Sequence, residues 1–356
     1  MNRSLHAQAA ASASQLPAPA RAFLARHGLD RFGLELFEAD ASPRRYYRVQ
    51  GEGVLLMIDR HDPPGFAAYL RLSHHLNDLG LSAPRVFGAD PVHGIALVED
   101  FGEGTYAVCL DDGYDEAELY KLAVDALLHL HHDPRGNDVD QPRYDLAVHL
   151  TELKIFADWF APAIIPAIDR TGFADTFLGL WRDALAPVAQ RFDTLVLRDF
   201  HVDNLMFLSQ RAGIKRCGLL DFQDGILGPC EYDLVSLLQD ARRDLAPDLE
   251  TQLLDHYLAN APAQLGSAEE IRHRFALLGA QRHTRILGVF VRLCQRDAKP
   301  RYLKFIPRVV KQLQAALADA GLSDISSFLE SELPGWADAA LDLGRDLPIP
   351  QGVSHA

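Results

Sequence analysis

Asp199, Asn204 and Asp221 are of the types, and at the spacing, that phosphate transfer uses. They lie in one run, Leu195 to Leu238, which reads LVLRDFHVDNLMFLSQRAGIKRCGLLDFQDGILGPCEYDLVSLL. Moving a phosphoryl group from a nucleotide takes a carboxylate that orients or deprotonates the attacking hydroxyl. It also takes hard oxygen ligands that hold Mg2+ on the phosphates, and cationic donors that neutralise the developing charge. Asp199 suits the first task. Asn204 and Asp221 suit the second, with ATP as the accompanying nucleotide. Short Asp/Asn turns also arise for local reasons alone, so the surroundings of the three residues carry the weight.

Those surroundings have a pattern. An apolar run leads into Arg198-Asp199, and two short strands, MFL and CGLL, follow as a hairpin around Gly213. The second strand delivers Asp221-Phe222. Upstream, the sequence predicts a helix over 20–33 and strands over 34–39, 45–50 and 54–59, with turns at 40–43 and 51–53. This is a three-stranded antiparallel meander. Pro63-Pro64-Gly65 breaks it, a helix covers 66–80, and two more strands lie between Pro84 and Val98. From Asp115 onward the pattern is helical, over 115–132, 145–160, 172–192, 233–243, 248–259, 268–297 and 301–320. The fold class expected is α+β and bilobal, a small β-rich lobe before a large, mostly helical one. The boundaries expected are a flexible tail over 1–19, a nucleotide-binding lobe over 20–102, a catalytic and substrate lobe over 103–345, and a tail over 346–356. The hinge falls near 99–105.

The order R-D-x-x-x-x-N, hairpin, D-F is that of protein kinases, with departures. Leu197 stands where a histidine is usual, and Gln223 replaces the glycine of D-F-G. The first lobe has no G-x-G-x-x-G. Its third strand has no lysine, and helix 66–80 has no glutamate to pair with one. The phosphate clamp is therefore expected from the turn Ser42-Pro43-Arg44-Arg45-Tyr46-Tyr47-Arg48, through Ser42, Arg44 and Arg45, because guanidinium forks match phosphate oxygens. A solvated basic turn is the competing reading.

Composition narrows the class. The 356 residues include 35 basic and 49 acidic ones, a net charge of −14. That speaks against nucleic-acid and anionic-membrane partners, which call for a basic surface. None of the four cysteines forms a C-x-x-C pair, which fits a reducing cytoplasm and not structural zinc. No apolar run is long enough to span a membrane, and the Ala/Ser-rich start lacks the apolar block of a signal peptide. The expected location is cytoplasmic, with no obligatory protein partner.

Taken together, RDFHxxN, LLDFQD, GP and YDLVSLL resemble the aminoglycoside phosphotransferase-like kinases, which have the protein-kinase-like fold. The likeness is closest to the anomeric N-acetylmuramate/N-acetylglucosamine kinases of cell-wall recycling. ASPRRYYRV is similar to their phosphate loop, LVEDFG to their hinge and TELKIFADWF to their substrate-side helix; the likeness covers roughly 25–330. It implies Mg2+ and ATP as cofactor and nucleotide, and phosphorylation of the anomeric hydroxyl of N-acetylmuramate and/or N-acetylglucosamine, whose α-1-phosphates lead to UDP-sugars. It implies Asp199 as base and Asn204 and Asp221 as metal ligands. The backbone of Val98, Glu99 and Asp100 would read adenine, and Arg44 and Arg45 would approach the phosphates. Glu152, His201, Asp224 and Arg198 would contact the sugar. Two other readings stand beside this one: a same-fold kinase for an aminoglycoside, choline or homoserine type of acceptor, or an inactive kinase-like binding protein.

Three further groups draw notice. His129, His131 and His132 close a predicted helix, where the helix dipole favours cations. Trp159 is a candidate sugar platform. Arg282, Arg285 and Arg292 share a predicted helix; they could meet the lactyl carboxylate of N-acetylmuramate or pair with surface acids.

Overall fold

The computed structural model describes residues 7–11, 16–37 and 44–346. In chain order its first elements are β1 (Ala7–Ala11), α1 (Ala18–Arg26), β2 (Leu34–Phe37), β3 (Arg45–Val49) and β4 (Val54–Ile58). Next come α2 (Pro63–Asp78), β5 (Val86–Asp90), β6 (Ile95–Glu99), α3 (Tyr106–Asp111) and α4 (Glu116–His132). Then follow α5 (Leu146–Ile155), a π turn (Phe156–Phe160), α6 (Ala161–Ile164), α7 (Arg170–Leu185), β7 (Thr194–Val196), β8 (Leu205–Phe207), β9 (Cys217–Leu219) and β10 (Ile226–Gly228). Six α-helices follow among the described residues: α8 (Glu231–Leu238), α9 (Leu249–Asn260), α10 (Ala268–Gln295), α11 (Ile306–Asp319), α12 (Ser323–Glu332) and α13 (Trp336–Asp346). The α+β class expected from the sequence holds.

Contacts divide the chain into two compact units. The first runs through Gln141 and takes in Leu197–Ile226; the second is Pro142–Val196 with Leu227 onward. The first unit contains a six-stranded sheet in the order β1-β2-β3-β4-β6-β5, antiparallel throughout. The meander read from the sequence is its centre, with Arg45 opposite Ile58 and Val49 opposite Val54. Strand β1 lies within the stretch expected to be a loose tail. It pairs with β2, whose outer N–H and C=O groups are otherwise a bare edge. One face of the sheet packs Tyr47, Val49, Leu56, Ile58 and Leu97 against Phe23 and Leu24 of α1.

Helix α2 starts three residues earlier than the sequence suggested. Pro63 and Pro64 were read as breakers, but they occupy its first turn, where their missing N–H groups would have no partner within the helix. Asp62 caps it by accepting from the Gly65 N–H at 3.0 Å. Strands β8 and β9 form the expected hairpin, Leu205 opposite Leu219.

The second unit is mostly helical and built around α10, whose start carries a capping box between Ser267 and Glu270. The helix expected over 145–160 ends instead at Ile155 and continues as the π turn. Gly288 of α10 lies directly against this junction. A Cβ there would stand 2.6 Å from the Ile155 carbonyl carbon and from the Phe156 nitrogen. Only glycine permits that approach.

Candidate active site

Strand β7 delivers the chain to Leu197, and the loop that carries Asp199 and Asn204 follows within the first unit. Arg198 has φ 70° and Asp221 φ 56°. Non-glycine residues occupy this left-handed region at a cost, and such strain collects at functional sites. The loop is closed by its own backbone. His201 N–H donates to the Asp199 carbonyl at 3.1 Å, and Asn204 N–H to the His201 carbonyl at 2.8 Å. The Leu220 N–H then donates to the Asn204 carbonyl at 2.9 Å, which joins the loop to the strand that brings Asp221.

Asn204 is oriented by its surroundings. Its Nδ2 donates to the Asp199 carbonyl at 3.0 Å and lies 3.4 Å from His201 Nε2. The amide nitrogen is thereby committed, and the amide oxygen is the atom left to face a cation. Asp221 is pushed above its ordinary carboxyl pKa by crowding of protein around it and by the negative charges of Asp199 and Asp224, while Gln223 and Arg44 act in the opposite direction. The Asp221 residue is nonetheless exposed. Asp221 feels the charges of both Asp199 and Asp224, and carboxylate and amide oxygens are the donor type that suits Mg2+.

The cationic part of the site takes a form not visible in the sequence. Arg44 is buried, and its Nε donates to Asp59 Oδ2 at 2.9 Å. Its Nη1 donates to Gln223 Oε1 at 3.1 Å, and Gln223 Nε2 donates to Asp221 Oδ1 at 2.7 Å. Burial works against the Arg44 charge, but Tyr46 and Asp59 outweigh it and hold its pKa above the ordinary value. Asp59 is held by the sheet: its N–H donates to the Gly94 carbonyl at 2.8 Å. Gly94 has φ +62°, and a Cβ there would lie 1.8 Å from the Asp59 carbonyl oxygen. Beneath the loop, the Phe222 ring is fully buried and stacks on Tyr69 of α2 at 5.1 Å.

The other expected residues distribute as follows. Ser42 lies outside the described residues. Arg45 is exposed on β3, while Arg48 is drawn away to Asp100 and to Glu103 at 2.9 Å. Val98 is within β6. The Glu99 and Asp100 N–H groups are already given to the Arg85 and Gly53 carbonyls, at 2.8 and 3.0 Å. His201 is buried, Arg198 half-buried and Asp224 exposed. Glu152 belongs to the second unit, where it is buried, accepts from the Tyr144 hydroxyl, and lies 3.5 Å from Gln281 Nε2 and Arg285 Nε.

Of the histidines closing α4, His129 contacts the Leu79 carbonyl at 2.7 Å. His131 is buried and held neutral, its pKa pulled down to about 3 by burial and by His132, so the dipole argument does not apply to it. Trp159 lies on the π turn and lines a cavity of about 350 Å³ with Asp158, Arg170 and Gln295. One acid and thiol cluster, Asp193, Cys230 and Glu231, also lies in the second unit. Arg191 meets Asp193 at 3.0 Å and Arg274 meets Glu231 at 2.8 Å, so the carboxylates there are already charge-compensated.

Sequence reasoning named Asp199, Asn204 and Asp221 as candidates and noted Gln223 as a departure, but it did not anticipate the bonds that Asp59 and Gln223 make to Arg44. The available signal was the unexplained replacement of a glycine by glutamine beside Asp221.

Similarity to known proteins agrees with the geometry. The chain is 35% identical over 361 residues to an N-acetylmuramate/N-acetylglucosamine kinase of Caulobacter vibrioides, covering 90% of this chain and 98% of that one. It is 32% identical over 312 residues to a kinase of the same name from Pseudomonas aeruginosa, covering 85% and 88%. Among solved structures, an ADP-bound aminoglycoside phosphotransferase superposes with a TM-score of 0.58 at 16% identity, over 86% of this chain and 99% of that one. A gentamicin complex of a second such enzyme gives 0.56 at 15%, over 88% and 99%. At that identity these two speak for the fold, which is the protein-kinase-like fold expected. A profile described as the phosphotransferase enzyme family matches residues 33–269, a span that takes in Arg44, Asp59, Asp199, Asn204, Asp221 and Gln223. The chain belongs to the phosphotransferase enzyme family.

Proposed function

We propose that this phosphotransferase is an ATP-dependent sugar kinase acting on the anomeric hydroxyl of N-acetylmuramate and/or N-acetylglucosamine. The observation that carries the acceptor is the match to a kinase of that name over 98% of its length. In this reading Asp199 accepts the proton of the attacking hydroxyl. The Asn204 amide oxygen and the Asp221 carboxylate hold Mg2+, which, when bound, neutralises phosphate charge. Arg44, kept cationic and fixed by Asp59, faces the phosphates together with Ser42 and Arg45. The segment Val98–Asp100 lines the adenine. His201, Asp224, Arg198 and, in the second unit, Glu152 are the candidates for the sugar.

The test is turnover with ATP on a panel of N-acetylmuramate, N-acetylglucosamine and an aminoglycoside, with the phosphate position read by NMR. The expected product is the 1-phosphate of one or both amino sugars. Asp199→Asn should lower turnover by roughly 10²–10⁴-fold while ATP still binds. Phosphate at another position, or product from the aminoglycoside alone, overturns the reading.

A further inference from the structure

Helix α10 carries Arg282 and Arg285 three residues apart and Arg292 further along, and Arg296 caps its C-terminal end. Two of these arginines have acidic partners: Arg285 lies 3.5 Å from Glu152 Oε2, and Arg296 lies 2.7 Å from Asp297. Arg282 differs. It is 3% exposed, and neither its Nε nor its Nη1 has a hydrogen-bond partner among the described residues. The charges it feels are those of Tyr232, Asp240, Arg242 and Arg285. Asp240 does not close the gap. Its Oδ1 accepts from Arg242, at 3.0 Å from the backbone N–H and 3.1 Å from Nη1, and its Oδ2 is buried with no partner. The Tyr232 hydroxyl is also buried and unpartnered.

Burying a guanidinium without an anion is costly, and folded proteins pair such groups. In a chain with 49 acidic residues, a buried arginine without a carboxylate bonded to it has to be explained. The pairing with surface acids that the sequence allowed is not what Arg282 does. Burial, with Arg242 and Arg285 nearby, pulls its pKa below the ordinary value, which is the direction of a cation lacking its counter-charge.

The position of Arg282 suggests what that counter-charge is. The Tyr232 ring meets the Tyr144 ring edge-on at 5.2 Å, and the Tyr144 hydroxyl donates to Glu152, the candidate sugar contact. Within the second unit, Arg282 thus feels Tyr232, which meets Tyr144, which bonds Glu152, which lies 3.5 Å from Arg285. N-acetylmuramate is N-acetylglucosamine with a lactyl ether that ends in a carboxylate. We propose that Arg282 receives that carboxylate and so determines preference for the acidic amino sugar. The proposal rests on the sugar-kinase reading above.

Initial rates with N-acetylmuramate and with N-acetylglucosamine test it, for the full-length protein and for Arg282→Met and Arg282→Lys. Arg282→Met should raise KM for N-acetylmuramate about tenfold or more and leave KM for N-acetylglucosamine within about twofold. Arg282→Lys, which keeps the charge but loses the fork, should fall between. The melting temperature of Arg282→Met without sugar should equal or exceed that of the parent, since an unpaired buried charge is gone. If both KM values move together, or neither moves, Arg282 is a structural arginine holding buried water and the proposal is wrong. If Arg282→Met does not fold, Arg282→Lys decides by the same ratio. A parent protein that phosphorylates neither sugar removes the sugar-kinase reading, and this proposal with it.

Discussion

Arg44 and Gln223 are 179 positions apart in the chain, yet Arg44 Nη1 donates to the Gln223 amide oxygen at 3.1 Å. Gln223 in turn donates to Asp221 at 2.7 Å. The residue that occupies the place of the D-F-G glycine thus couples Arg44 to Asp221.

Gln223→Ala should break that coupling and leave the fold intact. Both bonds are made by a half-exposed side chain, and each is worth only about 0.5–1.5 kcal/mol net. The expected outcome is a rise of about three- to tenfold in the Mg2+ and ATP concentrations giving half-maximal rate, with a small change in melting temperature. Steady-state titrations of both, beside calorimetric melts, make the comparison. Unchanged half-saturation would show that Arg44 and Asp221 act independently.

The pair Arg44–Asp59 is buried on both sides, with 7% and 3% of the side chains exposed. Arg44→Met should therefore cost roughly 3–5 kcal/mol, because it strands the Asp59 carboxylate. Adding Asp59→Leu should recover much of that stability by removing the stranded charge. Activity should stay lost in both variants if Arg44 faces phosphate. Urea unfolding and turnover, measured side by side, separate the two roles. Recovery of turnover in the double variant would make Arg44 purely structural.

The raised pKa of Asp221 gives a signed pH dependence. Its ordinary value is 3.8, and the carboxyl holds its proton to a higher pH than that. Mg2+ must compete with this proton, so its half-saturating concentration should climb as pH falls through the raised value and be flat above it. For the metal-free protein the sign is opposite. The folded state binds this proton more tightly than the unfolded chain, so the Asp221 contribution to stability grows as pH falls and is lost as pH rises. Asp221→Asn should abolish both trends, lower turnover at least about 100-fold, and melt no lower than the parent without metal. Turnover against Mg2+ at several pH values, with melts in chelator, reads all three.

What could be read from the sequence was local. Asp199, Asn204 and Asp221 sit within one loop and one hairpin, so spacing alone brings them together. The meander was legible because each strand ends in turn residues such as Gly51 and Gly53, whose φ values are +80° and +65°. The Arg44–Asp59 pair was not legible, because it spans a turn and two strands and depends on register. Gln223 was visible as a departure, but its partner lies in a segment remote in the chain. Pro63-Pro64 misled because the same residues break a helix interior and begin a helix well. The π turn was invisible because helical periodicity continues through it, and the glycine that lies against its start is on another helix.

That glycine provides the last prediction. Helix α10 approaches the end of α5 so closely that a Cβ at Gly288 would lie 2.6 Å from the Ile155 carbonyl carbon and 2.7 Å from its oxygen. The neighbouring atoms are backbone and cannot rotate aside. Gly288→Ala must push α10 and the π turn apart, where Phe156 stacks on Phe160 at 4.6 Å and on Phe177 at 5.2 Å. Overpacking of this kind costs about 1–3 kcal/mol, more than the gain of roughly 0.5–1 kcal/mol that alanine offers over glycine in a helix. The net effect should be destabilising. The shift should also appear as a change in Trp159 emission, since Trp181 and Trp336 are both 2% exposed or less whereas Trp159 is half-buried. A variant as stable as the parent, with unchanged emission, would show that α10 can move away from α5 without loss and that Gly288 does not cause the π turn.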